Sequence, residues 1–241
     1  MTHLSVVIPA RNEADNIVGL VEAIDRALAP LAPFEIIVVD DCSTDNSLTV
    51  LTEKSRLMPH LRLIRHDRSG GQSAAVHSGV KAARSAVICT LDGDGQNPPE
   101  ELPKLVAPIL NDATGRIGLV AGQRVDRQDT WSKKAASRFA NGLRGWLLND
   151  HTRDTGCGLK AFRREAFLDL PYFDHMHRYL PALFTRDGWE VAHVDVSHRA
   201  REAGRSNYSN IQRALVGVVD LFGVMWLLRR RKKARPVAPV E

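Results

Sequence analysis

Five short apolar runs recur along this chain, at Leu4–Ile8, Glu35–Val39, Leu61–Ile64, Ala86–Leu91 and Gly118–Ala121, beginning about 25–30 residues apart. The stretches between them, Asn16–Leu28, Ser47–Ser55, Gln72–Arg84 and Pro99–Leu110, carry helical periodicity. Strand and helix alternating at that interval predict βαβ units and a mostly parallel central sheet flanked by helices. Several runs are apolar throughout rather than at every second residue, as required of strands covered on both faces. Such a sheet also dictates where chemistry sits, because ligands bind in the crevice at the carboxyl ends of its strands. At 241 residues the chain is long enough for one large or two small domains. A further strand is expected at Glu190–Val196, ahead of a polar, basic loop from His198 to Tyr208.

The most telling strand end is Leu91-Asp92-Gly93-Asp94-Gly95-Gln96-Asn97-Pro98-Pro99. Two carboxylates one residue apart leave the strand, glycines among them permit a tight turn and close approach to a ligand, and the prolines open a helix. An Asp-Gly-Asp-Gly run is also compatible with a plain turn. A calcium loop is excluded, since its required glycine and glutamate would fall on Asn97 and Pro103. Paired carboxylates at a strand end suit a divalent cation held against a diphosphate. Pro9-Ala10-Arg11-Asn12-Glu13 closes the first strand and Val39-Asp40-Asp41-Cys42-Ser43-Thr44-Asp45 the second, so three acidic strand ends converge on one sheet edge. Asp40 and Asp41 suit a base or ribose there. Asp45 suits a cap for the following helix, and Glu13 equally suits a helix start. The glycines of Ser69-Gly70-Gly71-Gln72, at the start of another helix, suit an anionic ligand. The chain has neither G-x-G-x-x-G after its first strand nor G-x-x-x-x-G-K-[ST], which argues against a nicotinamide dehydrogenase or a P-loop NTPase.

Charge is unevenly placed. Arg229, Arg230, Arg231, Lys232, Lys233 and Arg235 stand against Glu241 alone, so the tail holds the whole net charge of +5 and the rest of the chain is neutral. A neutral body with 6% aromatic residues is no nucleic-acid binder. Just before the tail, Ile211–Leu228 is apolar except for Gln212, Arg213 and Asp220. It is short for a spanning helix, and a central carboxylate there costs roughly 2.5–3.5 kcal/mol. Arg213, Gly217 and Asp220 share one face, so an amphipathic helix lying in the membrane interface is expected, its basic end held by anionic lipid at about 1 kcal/mol per residue, with a core or dimer helix and a spanning or re-entrant helix as the alternatives. Ser132–Leu148 also reads as a helix, either facing the core or lying on a membrane surface with its basic residues snorkelling. The three cysteines, Cys42, Cys89 and Cys157, form no disulfide or metal-knuckle pattern, and Cys42 and Cys89 beside their strands read as small core residues in a reducing compartment. Leu4–Pro9 is too short for the apolar region of a signal peptide.

Taken in order, Pro9–Glu13, Val39–Asp45, Gly71-Gln72 and Asp92–Pro99 resemble the successive motifs of family 2 glycosyltransferases with the GT-A fold, and most closely the dolichyl- or polyprenyl-phosphate sugar synthases. The resemblance implies a GT-A catalytic domain over residues 1–210, followed by the interface helix and basic tail over 211–241. It implies that Asp92, Asp94 and Gln96 surround Mg²⁺ or Mn²⁺ and the donor diphosphate. Pro9, Arg11, Glu13, Asp40, Asp41, Gly71, Gln72, Asp92, Gly93 and Asp94 would hold the nucleotide sugar, with Arg201 closing over it. Arg124, with Lys134 or Arg138, would meet the acceptor phosphate. Asp94, Arg124 and Arg201 would carry catalysis. Asp154-Thr155-Gly156-Cys157-Gly158-Leu159-Lys160 is similar to a further family motif, and His177–Leu183 to another stretch. Arg201–Asn207 is similar to a loop that usually ends in lysine, where this chain has Asn207.

A prenyl monophosphate has a second pKa near ~6 and is largely dianionic at neutral pH, so it attacks without a catalytic base. Positioning and charge stabilisation then carry the reaction, and one displacement inverts the anomeric carbon. The expected partners are a nucleotide-sugar donor, GDP-mannose first and UDP-linked glucose, uronic acid or aminoarabinose next, together with a polyprenyl-phosphate acceptor. Peripheral attachment to the cytoplasmic side of a membrane is expected, with a membrane partner protein or a second copy of the chain as further partners. A family 2 transferase acting on a soluble glycan is the competing expectation.

Overall fold

The computed structural model describes residues 4–31, 33–125, 144, 145, 147, 148, 152–199 and 210–230, with side chains from residue 217 onward in the last helix. The expected alternation is present: β1 Leu4–Ala10, α1 Ala14–Leu28, β2 Phe34–Asp40, α2 Ser47–Leu57, β3 Leu61–Arg65, α3 Gly71–Ala82, β4 Val87–Thr90, α4 Leu102–Leu110 and β5 Ile117–Arg124. Pro99–Glu101 forms a 3₁₀ turn that leads into α4. Then come β6 Lys160–Arg163, α5 Arg164–Leu168, a 3₁₀ turn at Met176–Arg178, α6 Leu180–Arg186, β7 Glu190–Val196 and α7 Asn210–Arg229.

The seven strands make one sheet in the order β3-β2-β1-β4-β6-β5-β7. Alternate residues of the continuous runs pack against opposite layers. Val6, Ile8, Ile36 and Val38 join Ile17, Val21, Leu51 and Leu105 of α1, α2 and α4 on one face. Val7, Ile37, Val39 and Ile88 join Val76, Val80, Phe167, Leu183 and Phe184 on the other. Each such side chain, fully buried, is worth about 1.5–3 kcal/mol, which is why these segments pair as central strands.

One strand departs from the βαβ rule. β6 is antiparallel to both neighbours, with Thr90 and Ala121 each opposite Lys160. Because it runs backwards, the residues that precede it arrive at the same edge as the carboxyl ends of β4 and β5. Asp154–Lys160 and Arg124 are thereby brought to Asp92.

Two expectations change. Cys89 and Cys157 are buried, but Cys42 is half-exposed with a left-handed backbone (φ 60°), a turn residue and not a core one. In α7 the polar Asp220 is turned inward. Asp220 approaches His175 Nδ1 at 3.3 Å, Val224 is buried, and Leu221, Met225 and Leu228 pack on the second core cluster. The outward face carries Val218, Val219, Phe222 and Trp226, all exposed. Among the described residues no helix is long and apolar enough to cross a membrane.

Candidate active site

At the end of β2 the two aspartates are nearly closed off from solvent. Asp41 accepts hydrogen bonds from Ser69 Oγ (2.7 Å), Gly70 N–H (2.8 Å) and Gly71 N–H (2.9 Å), with His66 Nδ1 2.7 Å from it. The anion that fills the glycine-rich start of α3 is therefore this side chain. Burial raises the cost of its charge, but those donors outweigh burial and hold its pKa below the usual carboxylate value. Asp40 accepts the Ser43 N–H at 3.3 Å. Asp45 bonds both the Ser47 and Ala14 N–H groups (2.9 and 3.2 Å), so it ties the starts of two helices, as its position implied. Glu13 accepts Asn16 Nδ2 at 2.9 Å and stands at the start of α1, while Arg11 is exposed.

At the end of β4 the surroundings differ. Asp92 Oδ1 accepts Gln72 Nε2 at 2.7 Å and Oδ2 accepts Asn97 Nδ2 at 3.3 Å. Burial, reinforced by the like charge of Asp94, pushes the Asp92 pKa up, against the opposing pull of Lys160. Asp94 accepts the Gln96 N–H at 3.2 Å, and the Gln96 carbonyl accepts the Arg199 N–H at 3.0 Å. Backbones crowd this loop. A Cβ on Gly93 would lie 3.0 Å from the Pro9 carbonyl, and one on Gly158 would lie 2.3 Å from Asp92 Oδ2, so neither position admits a side chain without movement.

Asp92 borders a cavity of about 390 Å³ that is also lined by Pro9, Gln72, Arg124, Asp154, Gly158, Lys160, His177 and Arg178. Arg124 is gripped by Asp154 in two parallel contacts, Nε–Oδ2 at 2.5 Å and Nη2–Oδ1 at 2.9 Å. Lys160 is buried and donates to the Cys157 carbonyl; burial lowers its pKa while Cys157, Asp92 and Asp154 oppose the drop. His177 Nδ1 lies 2.8 Å from Ser73 Oγ, and burial, with the nearby charges of Lys160 and Arg178, pulls the imidazole pKa well down, leaving it neutral at neutral pH. Of the expected site residues, Pro9, Gln72, Asp92 and Arg124 meet in this cavity, whereas Asp40 and Asp41 stand behind the loop beside it. Lys134, Arg138 and Arg201 lie outside the described residues, as do Arg205 and Asn207. Lys160, His177 and Arg178 join Pro9, Gln72, Asp92 and Arg124 in the cavity, where no residue-type pattern in the sequence places them. Their one signal in the sequence was membership of the two family-like stretches.

The carboxylate pair fits a divalent cation. Among the described residues no three His, Cys, Asp or Glu side chains cluster to form a closed metal cage. Mg²⁺ typically takes one or two carboxylates and completes its shell with substrate phosphates and water. Asp92 and Asp94, hard oxygen donors whose mutual repulsion a cation relieves, meet that requirement, with Gln96 next to them.

A parallel sheet with one reversed strand, acidic strand ends and a cavity at their edge together define a GT-A glycosyltransferase architecture. The chain belongs to glycosyl transferase family 2, whose pattern it matches over residues 5–170. It is 34% identical over 238 residues to dodecaprenyl-phosphate galacturonate synthase of Rhizobium johnstonii, a match spanning 97% of this chain and 69% of that protein. It is also 34% identical over 208 residues to undecaprenyl-phosphate 4-deoxy-4-formamido-L-arabinose transferase of Proteus mirabilis, spanning 86% of this chain and 63% of that one. Among solved structures it resembles a mannosyltransferase of Pyrobaculum calidifontis in complex with GDP-Man and Mn²⁺, with a TM-score of 0.70 at 20% identity over 97% of this chain and 66% of the other.

Proposed function

We propose that this chain transfers a sugar from a nucleotide sugar to the monophosphate of a polyprenyl lipid. The observation that carries the reading is the cavity itself, where Asp92, with the like charge of Asp94 close by, shares one space with Arg124, Lys160 and Arg178. A divalent cation held by Asp92 and Asp94 would supply charge stabilisation to the departing diphosphate. The residues of the chain do the rest. Gln72 and Asn97 fix the Asp92 carboxylate, Gly93 and Gly158 let the Pro9 carbonyl and the Asp92 carboxylate pack closely by having no side chain, and Asp154 sets the plane of the Arg124 guanidinium. A phosphate oxygen of the acceptor forms a bond to the anomeric carbon as the bond from that carbon to the diphosphate breaks. The electron pair leaves with the nucleoside diphosphate, and the configuration inverts. No proton need be removed from a dianionic nucleophile, which accords with a His177 held neutral rather than poised between forms.

The two curated relatives name galacturonate and a 4-deoxy-4-formamido-arabinose, so they favour a UDP-linked uronic acid or aminoarabinose donor over GDP-mannose. The outward apolar face of α7, followed by Arg229 and Arg230, supports peripheral attachment to a membrane, which we assign to its cytoplasmic side. The test is to incubate the purified chain with Mn²⁺, radiolabelled nucleotide sugars and a short prenyl phosphate. Label partitioning into organic solvent is the expected result. Label retained in water on a glycan would establish the soluble-acceptor reading instead.

A further inference from the structure

We propose that Arg178, with His177 beside it, anchors the phosphate of the incoming lipid acceptor; this rests on the transferase reading above. The other cations of the cavity are already engaged, Arg124 by both oxygens of Asp154 and Lys160 by the Cys157 carbonyl. Arg178 lines the same cavity, and among the described residues no carboxylate pairs with it. A half-buried guanidinium without a counter-ion is costly unless an anion arrives, and its planar fork suits a phosphate.

The cavity that Arg178 lines holds apolar side chains as well as polar ones. Val76 and Leu180 border the cavity with it, placing hydrocarbon beside the cation. A prenyl phosphate has an anionic head esterified directly to an apolar chain, whereas a nucleotide sugar carries hydroxyls along its length. His177 completes the contact. The Ser73 hydroxyl accepts the His177 backbone N–H at 3.3 Å and lies 2.8 Å from Nδ1; in the tautomer with the ring proton on Nε2, the imidazole offers the anion a second donor.

The residues that flank the pair hold the helix with the exposed apolar face. His175 Nδ1 faces Asp220 at 3.3 Å, and the Tyr179 hydroxyl donates to the Gly217 carbonyl at 3.2 Å. Segment 175–180 thus has α7 on one side and the cavity on the other, which gives an acceptor lying along α7 a short route to Arg178.

The experiment uses the full chain in detergent with farnesyl phosphate as the probe. Kinetics and calorimetric binding are measured for wild type, Arg178→Gln and Arg178→Lys, with farnesol as the uncharged control. Arg178→Gln is expected to raise the KM and the Kd for farnesyl phosphate at least tenfold and to leave the donor KM unchanged, Arg178→Lys to recover part of the loss, and farnesol to show no such difference. An unchanged acceptor KM and Kd would overturn the anchor, and a rise in the donor KM of equal size would assign Arg178 to the donor. If the wild type transfers to no prenyl phosphate, the transferase reading falls, while the calorimetric comparison still decides whether Arg178 binds a prenyl phosphate.

Discussion

Two pairs of aspartates end β2 and β4, on either side of β1 and at the same sheet edge, and they meet opposite fates. Asp41 is surrounded by donors from the loop ahead of α3, so its charge is favoured and its work is internal: it pins Ser69, Gly70 and Gly71. Asp92 sits against Asp94 at the cavity, where burial and like charge disfavour ionisation. A carboxylate whose acceptors are saturated by its own protein builds a frame. One left with spare lone pairs beside another carboxylate offers hard oxygen donors that suit a cation.

Substitution at the second pair should give the largest effect on activity. Asp94→Ala is expected to lower transfer by about 10³-fold, roughly 4 kcal/mol of transition-state stabilisation, with fold stability within about 0.5 kcal/mol of wild type. Initial rates across a Mn²⁺ titration, alongside a denaturation curve, check this. Full activity at saturating Mn²⁺ would erase the contrast with Asp41.

Asp41→Ala should reverse the pattern, costing about 3 kcal/mol of stability because several buried donors lose their acceptor together. The pH dependence sharpens the point. The folded pKa of Asp41 is depressed, so its contribution to stability is fully present above the unfolded value of about 3.9 and is lost as pH falls through the lower folded value. Asp41→Asn should therefore be less stable than wild type at neutral pH and show a shallower acid limb in urea-denaturation midpoints. Superimposable acid limbs would mean that the loop does not depend on the charge.

The same pairs show which features are legible in a sequence. Strand ends can be placed because apolar runs and helical patterns alternate, so Asp92 and Asp94 at a ligand-binding edge follow from period alone. The saturation of Asp41 does not, since Gly70, Gly71 and His66 reach it only once β3 has paired with β2. β6 was equally hidden: Lys-Ala-Phe-Arg is too short to show a period, and its reversed direction comes from fitting between β4 and β5. That insertion carries Lys160 and Asp154 to the site, and the turn before α6 carries Arg178, which in sequence reads as an ordinary surface charge. The inward turn of Asp220 likewise depends on His175, 45 positions earlier in the chain.

The smallest effect concerns α7, where the inner and outer faces repeat the contrast between frame and site. Val224, Leu221, Met225 and Leu228 pack inward, so deleting residues 211–241 would remove core contacts as well as any membrane contact. Phe222 and Trp226 are 67% and 60% exposed and can be changed without that confusion. Phe222→Ser and Trp226→Ser should each weaken binding to anionic vesicles by roughly tenfold, near the low end of what burying an aromatic side chain is worth, without altering the melting temperature or transfer to a short soluble prenyl phosphate. Vesicle co-sedimentation and analytical ultracentrifugation of the same proteins separate the outcomes. Unchanged sedimentation with vesicles, accompanied by loss of a dimer, would show that the outer face meets a second copy of the chain rather than lipid.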